Sequence, residues 1–175
     1  MAELKFVITG TAGVGKSTAI AAVSDVPPVV TDAETTDSLQ KIKQTTTVAF
    51  DFGEVMLDDD TTLRIYGTPG QERFQHMWEI IADGALGLII LVDNTRQDPL
   101  SDMDMYIDNF QDLINKTGFV VGVTRWQESD KVSIDDYFNR LEARSLFAPV
   151  IEADPRNKDD VVMLMDSLMS ILEFA

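Results

Sequence analysis

The chain contains no cysteine. That excludes disulfides and thiolate metal sites. It has a single histidine, His76, with no second His, Cys or acidic cluster at metal-ligating spacing, so a helix-surface role suits it better than a ligand role. No run of about 18 or more apolar residues occurs, which argues against a membrane-spanning helix. There is no Met-Gly start and no terminal Cys box, so lipid anchoring is not indicated. The first apolar run begins within a few residues of Met1, which leaves no room for a signal peptide. Basic residues are scarce, with 14 Lys and Arg against 30 Asp and Glu and a formal charge of −16. A surface of that sign repels nucleic acid and anionic membranes, and serves solubility. Together these absences point to a cytoplasmic protein, with no nucleic-acid partner and no membrane insertion. Asp58-Asp59-Asp60 lacks the spaced ligands and downstream Glu of a calcium loop.

What is present is a phosphate-binding loop. Gly10-Thr11-Ala12-Gly13-Val14-Gly15-Lys16-Ser17 matches G-x-x-x-x-G-K-[ST]. The run Leu4 to Thr9 before it reads as a buried strand, and Thr18 to Val23 after it as a helix. Glycines let the backbone turn tightly and aim successive N–H groups at phosphate oxygens, and the helix N-terminus adds its positive dipole end. Lys16 is expected to reach the outer phosphates and the Ser17 hydroxyl to hold Mg²⁺. A merely structural Gly-rich turn is the bland alternative.

Apolar runs and helical patterns then alternate, which predicts an α/β sheet in one domain spanning residues 1–175 of the 175. The segment 24–44, with Pro27-Pro28, reads as a long loop. Val48, Phe50 and Phe52 alternate, as do Leu63 and Ile65, and the acidic triplet between them predicts a β-hairpin with one antiparallel strand. Gly87 to Asp93 and Phe119 to Val123 read as central parallel strands. Helices are predicted over 101–115, 133–145 and 160–174, with a short edge-side strand at 146–151. Met105, Phe110, Leu113 and Ile114 are core candidates, as are Val161, Leu164, Met165, Leu168, Ile171 and Leu172. Phe74, Met77 and Trp78 suit a partner surface or simple packing equally well.

The order of phosphate loop, Thr-bearing loop, hairpin and Thr68-Pro69-Gly70-Gln71-Glu72-Arg73-Phe74 resembles a Ras-like small GTPase. Thr47 to Gly53 and Tyr66 to Gln71 look most like the bacterial branch related to the MglA polarity GTPases. The resemblance implies a G-domain: a mixed, mostly parallel sheet of about six strands with one antiparallel edge strand, and helices on both faces. It implies a switch that binds and slowly hydrolyses GTP, with Mg²⁺ and GTP or GDP as cofactors. It also implies a protein activator of the small roadblock type, effectors at the switch surface, and an output in cell polarity or surface motility. Residue by residue, Thr47 falls where the first switch supplies a metal-ligating Thr, beside Ser17. Gly70 falls where an N–H meets the γ-phosphate, and Gln71 where a glutamine orients the attacking water; Gln71 and Lys16 are the catalytic candidates. Gly10, Gly13, Val14, Gly15, Lys16, Ser17 and Thr18 are the phosphate-side nucleotide contacts.

Three positions depart from that pattern. The second-switch Asp, which helps hold Mg²⁺ through water, is Gly67 here; Asp51 or Asp93 can compensate, or can be capping and structural acids. The base-reading segment is Thr124-Arg125-Trp126-Gln127, where Gln127 offers one acceptor and a donor in place of a carboxylate. Arg125 can still cover the base face. The second base segment is Asp154-Pro155-Arg156, and Pro155 has no N–H to give, unless a one-residue shift employs Asp154. Guanine selectivity is therefore expected to be weakened. Arg73 suits an internal arginine finger or a structural role, and Thr46 stands where the polarity branch can carry one. The rival readings are a pseudo-GTPase binding module without turnover and a P-loop ATPase or kinase, for which Asp93 would serve the metal.

Overall fold

A computed structural model describes residues 2–27, 29–30 and 51–174. Thr45, Thr46, Thr47, Val48 and Phe50 lie outside them. Among the described residues seven strands form one sheet: β1 (Ala2–Gly10), β2 (Val29–Val30), β3 (Asp51–Asp58), β4 (Thr61–Gly67), β5 (Gly87–Asp93), β6 (Phe119–Thr124) and β7 (Val150–Glu152). Their order is β2-β3-β4-β1-β5-β6-β7. The pairs β4–β1, β1–β5, β5–β6 and β6–β7 are parallel, and β3 runs antiparallel to both β2 and β4. The antiparallel strand is thus next to the edge and not at it, because the two-residue β2 lies outside β3.

β5 and β6 are buried along their whole length. That explains their unbroken apolar sequences, since both sheet faces are covered. Alternation sends Phe6, Ile8, Ile89 and Leu91 to one face, where they meet α1 (Lys16–Val23) through Ala19 and Ile20. Val7, Leu88, Ile90 and Val92 go to the other, against Trp78 of α2 (Trp78–Ala82) and Met103 and Tyr106 of α3 (Pro99–Asn109). Each such fully buried apolar side chain contributes about 1.5–3 kcal/mol relative to exposure.

The helix expected over 101–115 begins at Pro99, behind an Asp98 cap whose side chain accepts from Ser101 N–H. It breaks at Phe110, and α4 (Gln111–Lys116) follows. α5 (Ile134–Ala143) starts at a capping box of Ser133 and Asp136. α6 (Lys158–Glu173) is capped by Asn157, buries Val161, Leu164, Met165 and Leu168, and covers the α1 face. β7 is shorter than the expected 146–151. Pro149 gives the sheet only its carbonyl, which accepts from Val121 N–H, and Phe147 points outward at 85% exposure.

Candidate functional site

The phosphate loop leaves the C-terminal end of β1 and enters α1, as its glycines require. Gly10 has φ 152°, and a Cβ there would sit 2.5 Å from the Leu91 carbonyl oxygen. Gly15, the α1 N-cap, has φ 116°, and a Cβ there would meet the Pro155 ring at 2.6 Å. Both conformations and both contacts exclude a side chain. Val14 N–H closes the loop on the Thr11 carbonyl at 3.1 Å. The first-turn N–H groups of Lys16, Ser17 and Thr18 fall outside the intrahelical ladder.

Lys16 is 7% exposed and folds back over the loop, with Nζ donating to the carbonyls of Gly10 (2.6 Å) and Thr11 (2.9 Å). Burial pushes its pKa down to about 8, with the Asp51 carboxylate pulling the other way. Gly70 lies directly on this loop. A Cβ there would meet Ala12 N and Cα at 2.6 Å and Lys16 Nζ at 2.9 Å. The segment is pinned from behind: Thr68 N–H donates to the Ile8 carbonyl at 3.0 Å, and the Trp78 indole donates to the Pro69 carbonyl at 3.0 Å. Trp78 is fully buried, stacked on Tyr106 and Phe110. Met77 and Trp78 are therefore core residues and not a partner surface, while Phe74 is only partly buried. Gln71 is exposed immediately after Gly70, as the N-cap of a 3₁₀ turn (Glu72–Met77). Arg73 lies over the Phe74 ring at 4.6 Å, and His76 is exposed.

On the metal side, the Ser17 hydroxyl donates to Asp51 Oδ2. Thr47, the expected second ligand, lies outside the described residues. Asp93, the other candidate acid, is fully engaged elsewhere. It accepts from Thr95 N–H (2.9 Å) and Thr95 Oγ (2.6 Å), and its second oxygen pairs with Arg125. Although burial opposes ionisation, the Thr95 bonds and the Arg125 charge hold the Asp93 carboxyl below its usual range. Among the described residues no group of three or more His, Cys, Asp or Glu gathers to hold a metal. A hard cation here would be held by hydroxyl and phosphate oxygens, which suits Mg²⁺.

The residues expected to read the base gather at the other end. A cavity of about 500 Å³ is lined by Gly13, Gly15 and Thr18 together with Arg125, Gln127 and Pro155. That is within the range of small-molecule sites. Val14, Thr124, Asp154 and Arg156 share it. Arg125 adopts φ 50° and reaches the Gly13 carbonyl at 3.1 Å, so the base segment is tied to the phosphate loop. Thr124 is buried and turned toward the Val92 carbonyl (3.4 Å). Gln127 is exposed in a 3₁₀ turn (Trp126–Glu128). Asp154 N–H, the one-residue-shifted donor, already donates to Asp160 Oδ2 at 2.9 Å. The Asp154 carboxylate is held by Arg156, through its backbone N–H and its guanidinium.

Sequence reasoning missed two supports. Asp160 was legible only as an acid in the first turn of a helix. Asn94 fixes the loop after β6 by donating to the Ser129 and Val132 carbonyls at 3.1 Å, and accepts from Tyr137 at 2.7 Å. Its only sequence signal is a polar residue directly after a buried strand.

The architecture is that of a phosphate-loop NTPase domain of Ras-like type. The chain belongs to the family described as conserved hypothetical ATP binding protein, whose model matches residues 28–173, a span that begins after the phosphate loop. It is 25% identical over 171 residues to Ras-related protein Rab-18-B of Danio rerio, covering 97% of this chain and 78% of that relative. It is 32% identical over 114 residues to GTP-binding protein YPT1 of Saccharomyces cerevisiae, covering 65% of this chain and half of that protein. These relatives support the likeness to Ras-like small GTPases, and the narrower likeness to the bacterial polarity branch finds no support in them. No helix among the described residues is long and apolar enough to cross a membrane.

Proposed function

We propose that the chain is a single-domain nucleotide switch that binds a purine nucleotide with Mg²⁺, hydrolyses the triphosphate slowly, and gates partner binding through its switch segments. The observation that carries this reading is the meeting of Lys16, the loop carbonyls and Gly70 at the end of β1. A γ-phosphate placed there would draw the Lys16 ammonium off the Gly10 and Thr11 carbonyls and take contacts from both the loop and Gly70 N–H. Its loss on hydrolysis would release the second-switch segment. When bound, Mg²⁺ supplies charge neutralisation at the phosphates. Ser17, and Thr47 by resemblance, are the residues that would hold it. Gln71, exposed beside Gly70, has an amide that can both donate to and accept from a water.

Base preference is read from the other end. Gln127 carries one acceptor and one donor, and a turn of its amide matches either the N–H and carbonyl of guanine or the amino group and ring nitrogen of adenine. Pro155 has no donor and Asp154 N–H is taken, so nothing in this loop is reserved for a guanine carbonyl. The site is therefore purine-tolerant, in keeping with one relative named for GTP and a family named for ATP. Composition supports a cytoplasmic location.

Calorimetry with the Mg²⁺ complexes of GDP, GTP, ADP and ATP tests binding. Single-turnover hydrolysis with a matched activator tests the switch. Gln71→Leu is expected to leave triphosphate affinity little changed and to slow hydrolysis by about a hundredfold, the scale on which a misplaced reacting group costs rate. A wild type that binds triphosphate but never turns it over would leave a binding module in place of the enzyme.

A further inference from the structure

The acid that the Ras-like pattern carries at position 67 is a glycine, yet the space is not empty of charge. Gly67 pairs across the antiparallel ladder with Asp51, the first residue of β3. Directly paired residues project to the same sheet face. A Cβ at Gly67 would lie 3.4 Å from Asp51 Cβ and 3.7 Å from its Oδ2, so the Asp51 side chain occupies the neighbourhood a residue at 67 would enter. From there it accepts the Ser17 hydroxyl proton, and its charge is felt at Lys16. Asp93 is excluded from this task by its bonds to Thr95 and Arg125.

We propose that Asp51 is the metal-side acid of this chain, supplied from the neighbouring strand in place of the absent acid at 67. By accepting the hydrogen bond from the Ser17 hydroxyl it leaves both Ser17 Oγ lone pairs free to face a cation, and its carboxylate would add the negative charge that orders a hydrated Mg²⁺. Asp51 is a positioning residue: it acts through Ser17 and the cation's water. This inference rests on the nucleotide-switch reading.

The test is the dissociation rate of a fluorescent nucleoside diphosphate, guanine or adenine, whichever the wild type holds more tightly, measured as free Mg²⁺ is lowered by chelation. Asp51→Asn keeps the side-chain volume and removes the charge. It is expected to raise the Mg²⁺ concentration for half-maximal retention by roughly tenfold or more, the scale on which outer-sphere partners act. The rate in full chelator should stay the same or fall, because a negative charge near the phosphates is gone. Adding Gly67→Asp should return the midpoint toward wild type. That residue is compatible with the strand, since its Cβ meets only the Ile20 Cδ1 methyl closely, at 3.1 Å. Thermal melting confirms that each variant is folded. A midpoint unmoved by Asp51→Asn overturns the inference, as does dissociation that quickens equally with and without Mg²⁺. A wild type that binds no nucleotide overturns both this and the reading beneath it.

Discussion

The two ends of the site are built on opposite principles. At the phosphate end the candidate recognising groups are the backbone N–H groups of the loop, joined by the Lys16 and Ser17 side chains. Gly10, Gly13 and Gly15 hold left-handed or otherwise glycine-only angles, and at Gly10 and Gly15 neighbouring atoms press where side chains would be. At the base end the recognising groups are side chains, and several are already spent on one another: Arg125 on Asp93, Arg156 on Asp154, Asp160 on the Asp154 N–H. The difference teaches where affinity and selectivity reside. Phosphate chemistry is common to every nucleotide, so a rigid backbone cradle delivers binding without choice. Choice of base depends on unspent, directional partners, and here few remain.

The sharpest way to break this comparison is to disable the phosphate end. Lys16→Ala is expected to weaken triphosphate binding by about a hundredfold or more, as two charge-assisted bonds of roughly 1.5–3 kcal/mol each would require. Its melting temperature should change little, because the bonds lost to the Gly10 and Thr11 carbonyls are offset by removal of a desolvated buried charge. Calorimetry beside a thermal melt reads both; full affinity in a folded variant would remove the phosphate-loop assignment.

A second, smaller effect comes from the Lys16 pKa of about 8. Bound phosphate favours the charged ammonium and raises that value, so the complex holds the proton more firmly than the free protein does. Affinity should be flat below about pH 8 and fall by up to about tenfold per unit above it, until the bound-state pKa is reached. Calorimetry near pH 8.5 in two buffers of different ionisation enthalpy should register net proton uptake. Lys5 is also shifted down by burial, but its Nζ donates to the Asp83 carbonyl away from the loop and so cancels between free and bound states.

The same contrast explains what the sequence made legible. The phosphate loop could be read residue by residue because its constraint is local: glycine where φ is positive, a strand before, a helix after. β5 and β6 were equally plain, since burial on both faces writes itself as an unbroken apolar run. The Asp51–Gly67 pairing was not readable, because it depends on hairpin register, and an irregularity between Met56 and Asp58 offsets that register. The Asp160 bond to Asp154 and the Asp93 pair with Arg125 join segments brought together only by the sheet. Met77 and Trp78 carried no periodic signal that separates a docking surface from a core, and only the burial of the indole against Tyr106 and Phe110 decides it.

The central claim is that phosphates hold the ligand while the base is only loosely selected. Competition of GDP, ADP and IDP for the wild type and for Gln127→Asp, all with Mg²⁺, tests it most directly. Wild-type affinities for GDP and ADP should lie within about a hundredfold of each other, since each missing base contact forfeits roughly 1–3 kcal/mol. Gln127→Asp, whose carboxylate accepts from both guanine N–H groups, should shift the preference toward GDP by about tenfold. A wild type that prefers GDP over ADP by several orders of magnitude, or a Gln127→Asp variant with unchanged preference, would contradict that claim.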